Sequence, residues 1–203
     1  MAEVECFFDC SSPWTYFAFV SLLRMQDEIG VTVQWRPFLV GGVFNAVNPS
    51  VHNSRAAPVP LKSAYSKKDQ QDWARYLGLA MHYRPTVFPV NSVKAMRACI
   101  VLEPEGKLVP FAAATFKAYW VDNKDISQVS VLTEICQELG IDAQKLLAAT
   151  DQQPVKDTLR ANTQEAIDRG SFGSPTMFVG GDDMYFGNDR MPLIKDAVLR
   201  QRK

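Results

Sequence analysis

The chain has 203 residues, 47% of them hydrophobic and 22% charged, enough to bury a sizeable core as one domain or as one domain with a large insertion. Lys plus Arg and Asp plus Glu number 22 each, so no net field recruits nucleic acid, and no basic run interleaved with aromatics forms a binding stripe. No stretch approaches the roughly 20 apolar residues of a membrane span, and the opening "MAEVECFF" lacks the basic n-region and cleavage site of a signal peptide. The expected location is cytoplasmic, with neither nucleic acid nor membrane as a partner.

In chain order, "VECFF" (4–8) is short, apolar and strand-like and ends in Asp9. "SPWTYFAFVSLLRMQDEIG" (12–30) carries apolar residues at helical spacing, starts with proline in its first turn and stops at Gly30, a natural residue just past a helix end. "VTVQWRPFL" (31–39) alternates as a second strand, completing a β-α-β unit. Residues 40–60, rich in Gly, Asn, Ser and Pro without a sustained period, read as an ordered loop. Helices are expected over 62–78, 92–104, 108–122, 128–140, 143–149 and 155–170. "GSPTMFVGG" (173–181) is a turn and a strand, "DDMYFG" (182–187) pairs with it as a hairpin, and 188–202 is a closing helix capped by Asn188 or Asp189.

The order β-α-β, helices, then helix-β-β-α is an α/β plan, a thioredoxin-like fold with an inserted all-helical domain. Residues 1–60 and 155–203 would form the thioredoxin-like part and 61–154 the insertion. Four cysteines, Cys6, Cys10, Cys99 and Cys136, include no C-x-x-C pair and lie among apolar residues, so they read as buried hydrophobes; two histidines, His52 and His82, are too few for a metal site.

Three motifs bear on chemistry. In "CSSPWT", Ser12 stands at the N-terminus of the first helix, where free amides and the helix dipole favour an anion. Oxidoreductases of this fold place a thiol there and a second three residues later; this chain has Ser12 and Thr15. Ser12 is either a helix cap or a donor to another molecule's thiolate. In "FGSPTMF", Pro175 is placed for a cis peptide bond, leaving the Ser174 main chain to pair with a peptide-like ligand. In "FGNDR", Phe186 and Gly187 turn out of a strand and Asn188-Asp189 open a helix, a place to hold an α-amino and α-carboxylate group, or a cap with Arg190 in a surface pair. The rings of Trp14, Phe38, Phe44 and Trp120 are either pocket lining or core.

"FFDCSSPWTYFA", "FGSPTMFVGG" and "YFGNDR", with the helical insertion between them, resemble the 2-hydroxychromene-2-carboxylate isomerases and the related kappa-class glutathione transferases, which share a DsbA-like architecture. The likeness spans essentially the whole chain. It implies glutathione as cofactor, with Ser12 at its sulfur, Ser174 at the cysteinyl part, Phe186, Gly187, Asn188 and Asp189 at the γ-glutamyl end, and Asn53 and Lys62 at the glycyl carboxylate. Asn91, in "FPVN", and Asn45, where many such proteins carry a lysine, would face the second substrate. The implied activity is cis/trans isomerisation of 2-hydroxychromene-2-carboxylate or a similar aromatic unsaturated keto acid by reversible thiolate addition, in a homodimer. A kappa-like transferase is the alternative; a disulfide oxidoreductase is disfavoured for want of paired thiols, and a non-catalytic thiol-peptide binder is the non-enzyme alternative.

Overall fold

A computed structural model describes residues 3–203. Its four-stranded sheet has the order β2-β1-β3-β4. Strand β1 (Val4–Phe8) runs parallel to β2 (Val33–Pro37) and antiparallel to β3 (Thr176–Val179), which forms a hairpin with β4 (Asp183–Phe186). Side chains alternate across β1 with period two. Val4, Cys6 and Phe8 join the larger core with Phe19 and Leu22 of α1 (Pro13–Ile29). Phe7 points to the other face, where it meets Phe38 at 6.0 Å and Phe178 at 5.8 Å, both edge to face.

Helix α1 begins as its sequence predicts. Ser12 is extended (φ −102°, ψ 126°) and its Oγ accepts from the Thr15 N–H; Gly30, at φ 66°, ends the helix and returns its N–H to the Gln26 carbonyl.

The segment expected as a loop is instead two short helices, α2 (Val40–Val47) and α3 (Ser50–Ala56). The physical reason lies in α2. Val40, Val43, Phe44 and Val47 follow the i, i+3, i+4, i+7 spacing of an amphipathic helix, but Gly41 and Gly42 obscure it. Leu39 gives no side-chain cap; the Val40 N–H is met by Asp9 Oδ2 at 3.0 Å, 31 residues away. Gly42 packs closely, since a Cβ there would stand 3.1 Å from Thr163 Cγ2 and that methyl would have to give way.

Helix α4 (Pro60–Tyr76) follows, then a long connection to α5 (Val93–Leu102), α6 (Leu108–Trp120), α7 (Val129–Glu138), α8 (Ala143–Thr150) and α9 (Gln153–Asp168). Helix α9 covers the Phe7 face of the sheet: Asn162 Nδ2 donates to the Pro37 carbonyl at 2.9 Å, and the Leu39 N–H donates to Thr163 Oγ1 at 3.0 Å. Phe116 of α6 stacks on Tyr16 at 5.1 Å and meets Phe8 and Phe19, so the helical segment and the sheet share one core. Helix α10 (Met191–Gln201) closes the chain. Neither Asn188 nor Asp189 caps it; residues 188–190 form a separate 3-10 turn, and Arg190 occupies the cap position without a side-chain bond. All four cysteines are buried and free. Among the described residues, no helix is long and apolar enough to cross a membrane and no cluster of His, Cys, Asp or Glu could hold a metal.

Candidate active site

The sheet, α2, α3 and the connection before α5 enclose a cavity of about 770 Å³, lined among others by Asp9, Ser12, Trp14, Phe44, Asn45, Arg55, Arg84, Phe88, Asn91, Ser174 and Phe186. Its base is a knot of hydroxyls at the N-terminus of α1. Ser12 Oγ donates to the Ser174 carbonyl at 3.1 Å and accepts from the Thr15 N–H at 3.3 Å; Thr15 Oγ1 and Ser174 Oγ lie 2.7 Å apart. The Ser174–Pro175 bond is cis, as the sequence suggests, and so is Phe88–Pro89, which it did not suggest. The two serines, 162 residues apart in sequence, are thus brought together by the β1–β3 pairing.

Ser12 is a cap and also faces the cavity. The Trp14 N–H, one residue into the helix, has no intrahelical acceptor because of its position, and the Ser174 N–H bonds to no other described residue. Two unpaired amides and one rotatable hydroxyl therefore converge on one wall.

In the sequence Asp9 reads as no more than the end of β1. It is buried, and its oxygens accept from the Ser11 N–H at 2.9 Å and the Val40 N–H at 3.0 Å. Burial pushes its carboxyl above the usual range, while these amides and the Ser11 and Ser92 hydroxyls oppose the rise. It ties β1, α2 and the start of α5 around the cavity.

The other sequence-predicted residues divide. Asn45 lines the cavity and its Oδ1 meets His52 Nε2 at 2.9 Å. Asn91 lines it too, and its Oδ1 takes the Val93 N–H at 3.0 Å in a turn leading into α5. Phe186 lines it, its ring 4.3 Å from that of Phe172. Gly187, Asn188 and Asp189 follow Phe186 outside the lining; Asp189 pairs with Arg190 at 2.7 Å, and Asn188 is buried with no partner for Nδ2 among the described residues. Asn53 in α3 and Lys62 in α4 are exposed and also outside the lining. Trp14, Phe44 and Trp120 border the cavity, whereas Phe38 is core. Cys10 sits in the turn before α1, buried, its thiol pushed well up by burial and by its neighbour Cys99.

A parallel strand pair, an antiparallel hairpin and a helical segment between them, with a cis-proline turn facing the first helix's N-terminus, define a thioredoxin-type protein with a helical insertion. The chain belongs to the DSBA-like thioredoxin domain family, whose model matches residues 3–199. It is similar to the protein named glutathione S-transferase kappa 2 of Caenorhabditis elegans, at 28% identity over 98% of this chain and 93% of that one. It is equally similar to the 2-hydroxychromene-2-carboxylate isomerase of Pseudomonas putida, at 28% identity over 97% and 94%. A solved structure of a 2-hydroxychromene-2-carboxylate isomerase superposes with a TM-score of 0.83, at 25% identity over 98% of this chain and 95% of that one.

Proposed function

We propose that this chain is a glutathione-dependent enzyme acting by reversible thiolate addition, an isomerase of 2-hydroxychromene-2-carboxylate or of a similar aromatic unsaturated keto acid. The observation that carries the reading is the hydroxyl knot: Ser12 and Thr15 stand at the two positions where a redox protein of this fold needs thiols, and Ser12 faces the cavity beside Ser174, with Thr15 buried behind them and bonded to Ser174. The relatives support the same reading, since those matched over nearly the full length include 2-hydroxychromene-2-carboxylate isomerases and kappa-class transferases.

The donor set fits a thiol peptide. The free Ser174 N–H, with its carbonyl, suits the main chain of a cysteinyl residue, and the Trp14 N–H and Ser12 hydroxyl suit an anionic sulfur. Phe186, with Gly187, Asn188 and Asp189 beyond it, would take the γ-glutamyl end, and Asn53 and Lys62 would reach in from the α3–α4 side. Bound glutathione would supply a thiol whose addition to a carbon–carbon double bond, and later loss, leaves a single bond free to rotate in between. Ser12 favours the ionised thiol by turning its O–H from the Ser174 carbonyl to the sulfur. Trp14, Phe44 and Phe88 hold a planar substrate against that wall, with Asn45 and Asn91 at its polar edge.

Transfer of glutathione to an electrophile uses the same wall and is the second reading, favoured by the kappa-class relatives; accumulation of a stable conjugate distinguishes it. We further propose a cytoplasmic homodimer.

The first test is the melting temperature with and without reduced glutathione. Saturation at about 100 times Kd adds roughly 2.7 kcal/mol, which at this size raises Tm by about 5 to 10 °C. Such a shift, followed by turnover of the chromene carboxylate with no conjugate accumulating, supports the proposal; no shift at millimolar glutathione overturns it.

A further inference from the structure

Asp9, already tied to backbone amides, is joined in the cavity wall by two charged side chains that no motif singled out, Arg55 and Arg84. Arg55 comes from the last turn of α3 and Arg84 from the connection between α4 and α5. Their guanidinium carbons stand over the same ring, each 5.8 Å from the centre of Phe88; Arg55 also lies 5.4 Å from Phe44 and Arg84 5.6 Å from Tyr83. Neither has a carboxylate within ion-pair distance among the described residues. Partial burial and the charge of Arg84 both push the Arg55 guanidinium below its usual range, the mark of two like charges held close.

Arg84 is also held in place. It has φ 70°, a left-handed conformation uncommon for a residue with a Cβ. The connection carrying it is fastened to α6 and its far end: Tyr119 Oη donates to the Val87 carbonyl at 2.8 Å, the His82 N–H to the Trp120 carbonyl at 2.7 Å, and the Thr86 N–H to Asn123 Oδ1 at 2.7 Å. Two converging cations without an ion-pair partner among the described residues, the wall's one carboxylate, Asp9, being held by the Ser11 and Val40 amides, are arranged over an aromatic floor for a planar anion. A guanidinium fork matches a carboxylate with two parallel hydrogen bonds, and Phe44 and Phe88 offer faces to an adjoining ring.

We propose that Arg55 and Arg84 form the subsite that binds the carboxylate of the second substrate. This rests on the reading of the Ser12 wall as the thiol-peptide site, because the glycyl end of such a peptide also carries a carboxylate. The pair supplies the positive charge that Asn45, in place of a lysine, does not. Loss of one fork costs about tenfold in affinity for an anion at an exposed site.

Binding of trans-cinnamate and of its uncharged methyl ester is measured by calorimetry, with glutathione binding in parallel, for the wild type, Arg55→Gln, Arg84→Gln and Arg84→Lys. Both arginines are exposed, and an unchanged Tm verifies the fold of each variant. The expected result is that cinnamate binds wild type more tightly than the ester does, and that each Gln variant weakens cinnamate about tenfold. Arg84→Lys falls between, while ester and glutathione affinities stay within twofold. Equal binding of acid and ester, cinnamate affinity untouched by the Gln variants, or no cinnamate binding at millimolar concentration overturns the assignment. So does a loss confined to glutathione, which would give the pair to the glycyl carboxylate. Failure of wild type to bind glutathione while cinnamate binding still depends on both arginines would overturn the thiol-peptide reading and leave the anion subsite standing.

Discussion

Replacing Ser12 by alanine separates two roles that one oxygen holds at once. As a cap, Ser12 Oγ accepts the Thr15 N–H at 3.3 Å; its loss costs about 1 kcal/mol of stability, or about 2 to 4 °C in Tm for a chain of this size. As a donor, the hydroxyl already has an acceptor, the Ser174 carbonyl at 3.1 Å. Turning to a thiolate exchanges a neutral bond worth about 1 kcal/mol for a charge-assisted one worth about 2. The net gain is about 1 kcal/mol, or about 0.7 of a pKa unit, less than the full strength of a charged hydrogen bond. The free Trp14 amide and the positive end of the α1 dipole supply further stabilisation of the anion.

Ser12→Ala therefore raises the pKa of a bound thiol by about 0.7, cutting the thiolate fraction about fivefold at pH values below that pKa and leaving it unchanged well above. The assay is the ultraviolet absorbance of the bound thiolate titrated in both proteins, with turnover followed over the same range. Ser12→Thr keeps cap and hydroxyl and should resemble wild type in both readouts. A Tm drop with an unmoved thiol titration would refute the reasoning and leave Ser12 as a helix cap alone.

Two further perturbations probe what surrounds that wall. Burial raises the Asp9 carboxyl, so the folded chain keeps its proton to higher pH than the unfolded chain, and the stability this group contributes declines as pH climbs above the unfolded carboxylate range. Asp9→Asn abolishes that slope and leaves one of the Ser11 and Val40 amides without its oxygen, at a cost of about 1–3 kcal/mol. The Tm gap between wild type and variant should be wider at acid than at neutral pH; a gap that widens as pH rises contradicts the assignment. Gly187 has φ 100° and ψ 158°, and a Cβ there would stand 2.7 Å from Asp189 Oδ1. Gly187→Ala should cost about 1–3 kcal/mol, seen as a Tm drop of about 3 to 10 °C, and an unchanged melting curve would count against strain at this turn.

The parts of the fold that read clearly in the sequence are those whose signals are local. Helix α1 carries its proline, its cap and its terminal glycine within its own span, and the alternation in β1 reports both sheet faces. Helix α2 was hidden because its first amide is capped by Asp9, its apolar spacing is interrupted by two glycines, and one of those glycines answers to Thr163. The same division runs through the site. Ser12 and Ser174 are recognisable because each sits in a motif with its own backbone logic. For Asp189 the sequence leaves two readings open, a grip on an α-amino group or a surface pair involving Arg190, and the structure shows the pair at 2.7 Å.

Arg55 and Arg84 had no local signal at all. Each is an ordinary exposed arginine in a polar stretch, and the spacing of 29 positions between them means nothing along the chain. They become a pair only because α3, which the sequence presented as loop, brings Arg55 to Phe88, and because the connection before α5 is fastened to α6 with Arg84 at a positive φ. The wall that would activate a thiol lies on the β-α-β scaffold and is written in motifs, whereas the wall that would select a substrate is assembled from connecting segments. On the proposed reading, substitutions in 40–60 and 77–92 would change the substrate and leave the thiol site on the β-α-β scaffold intact. Exchange of Arg55 and Arg84 should accordingly alter which acids bind without moving the thiol's titration, whereas Ser12→Ala should do the reverse.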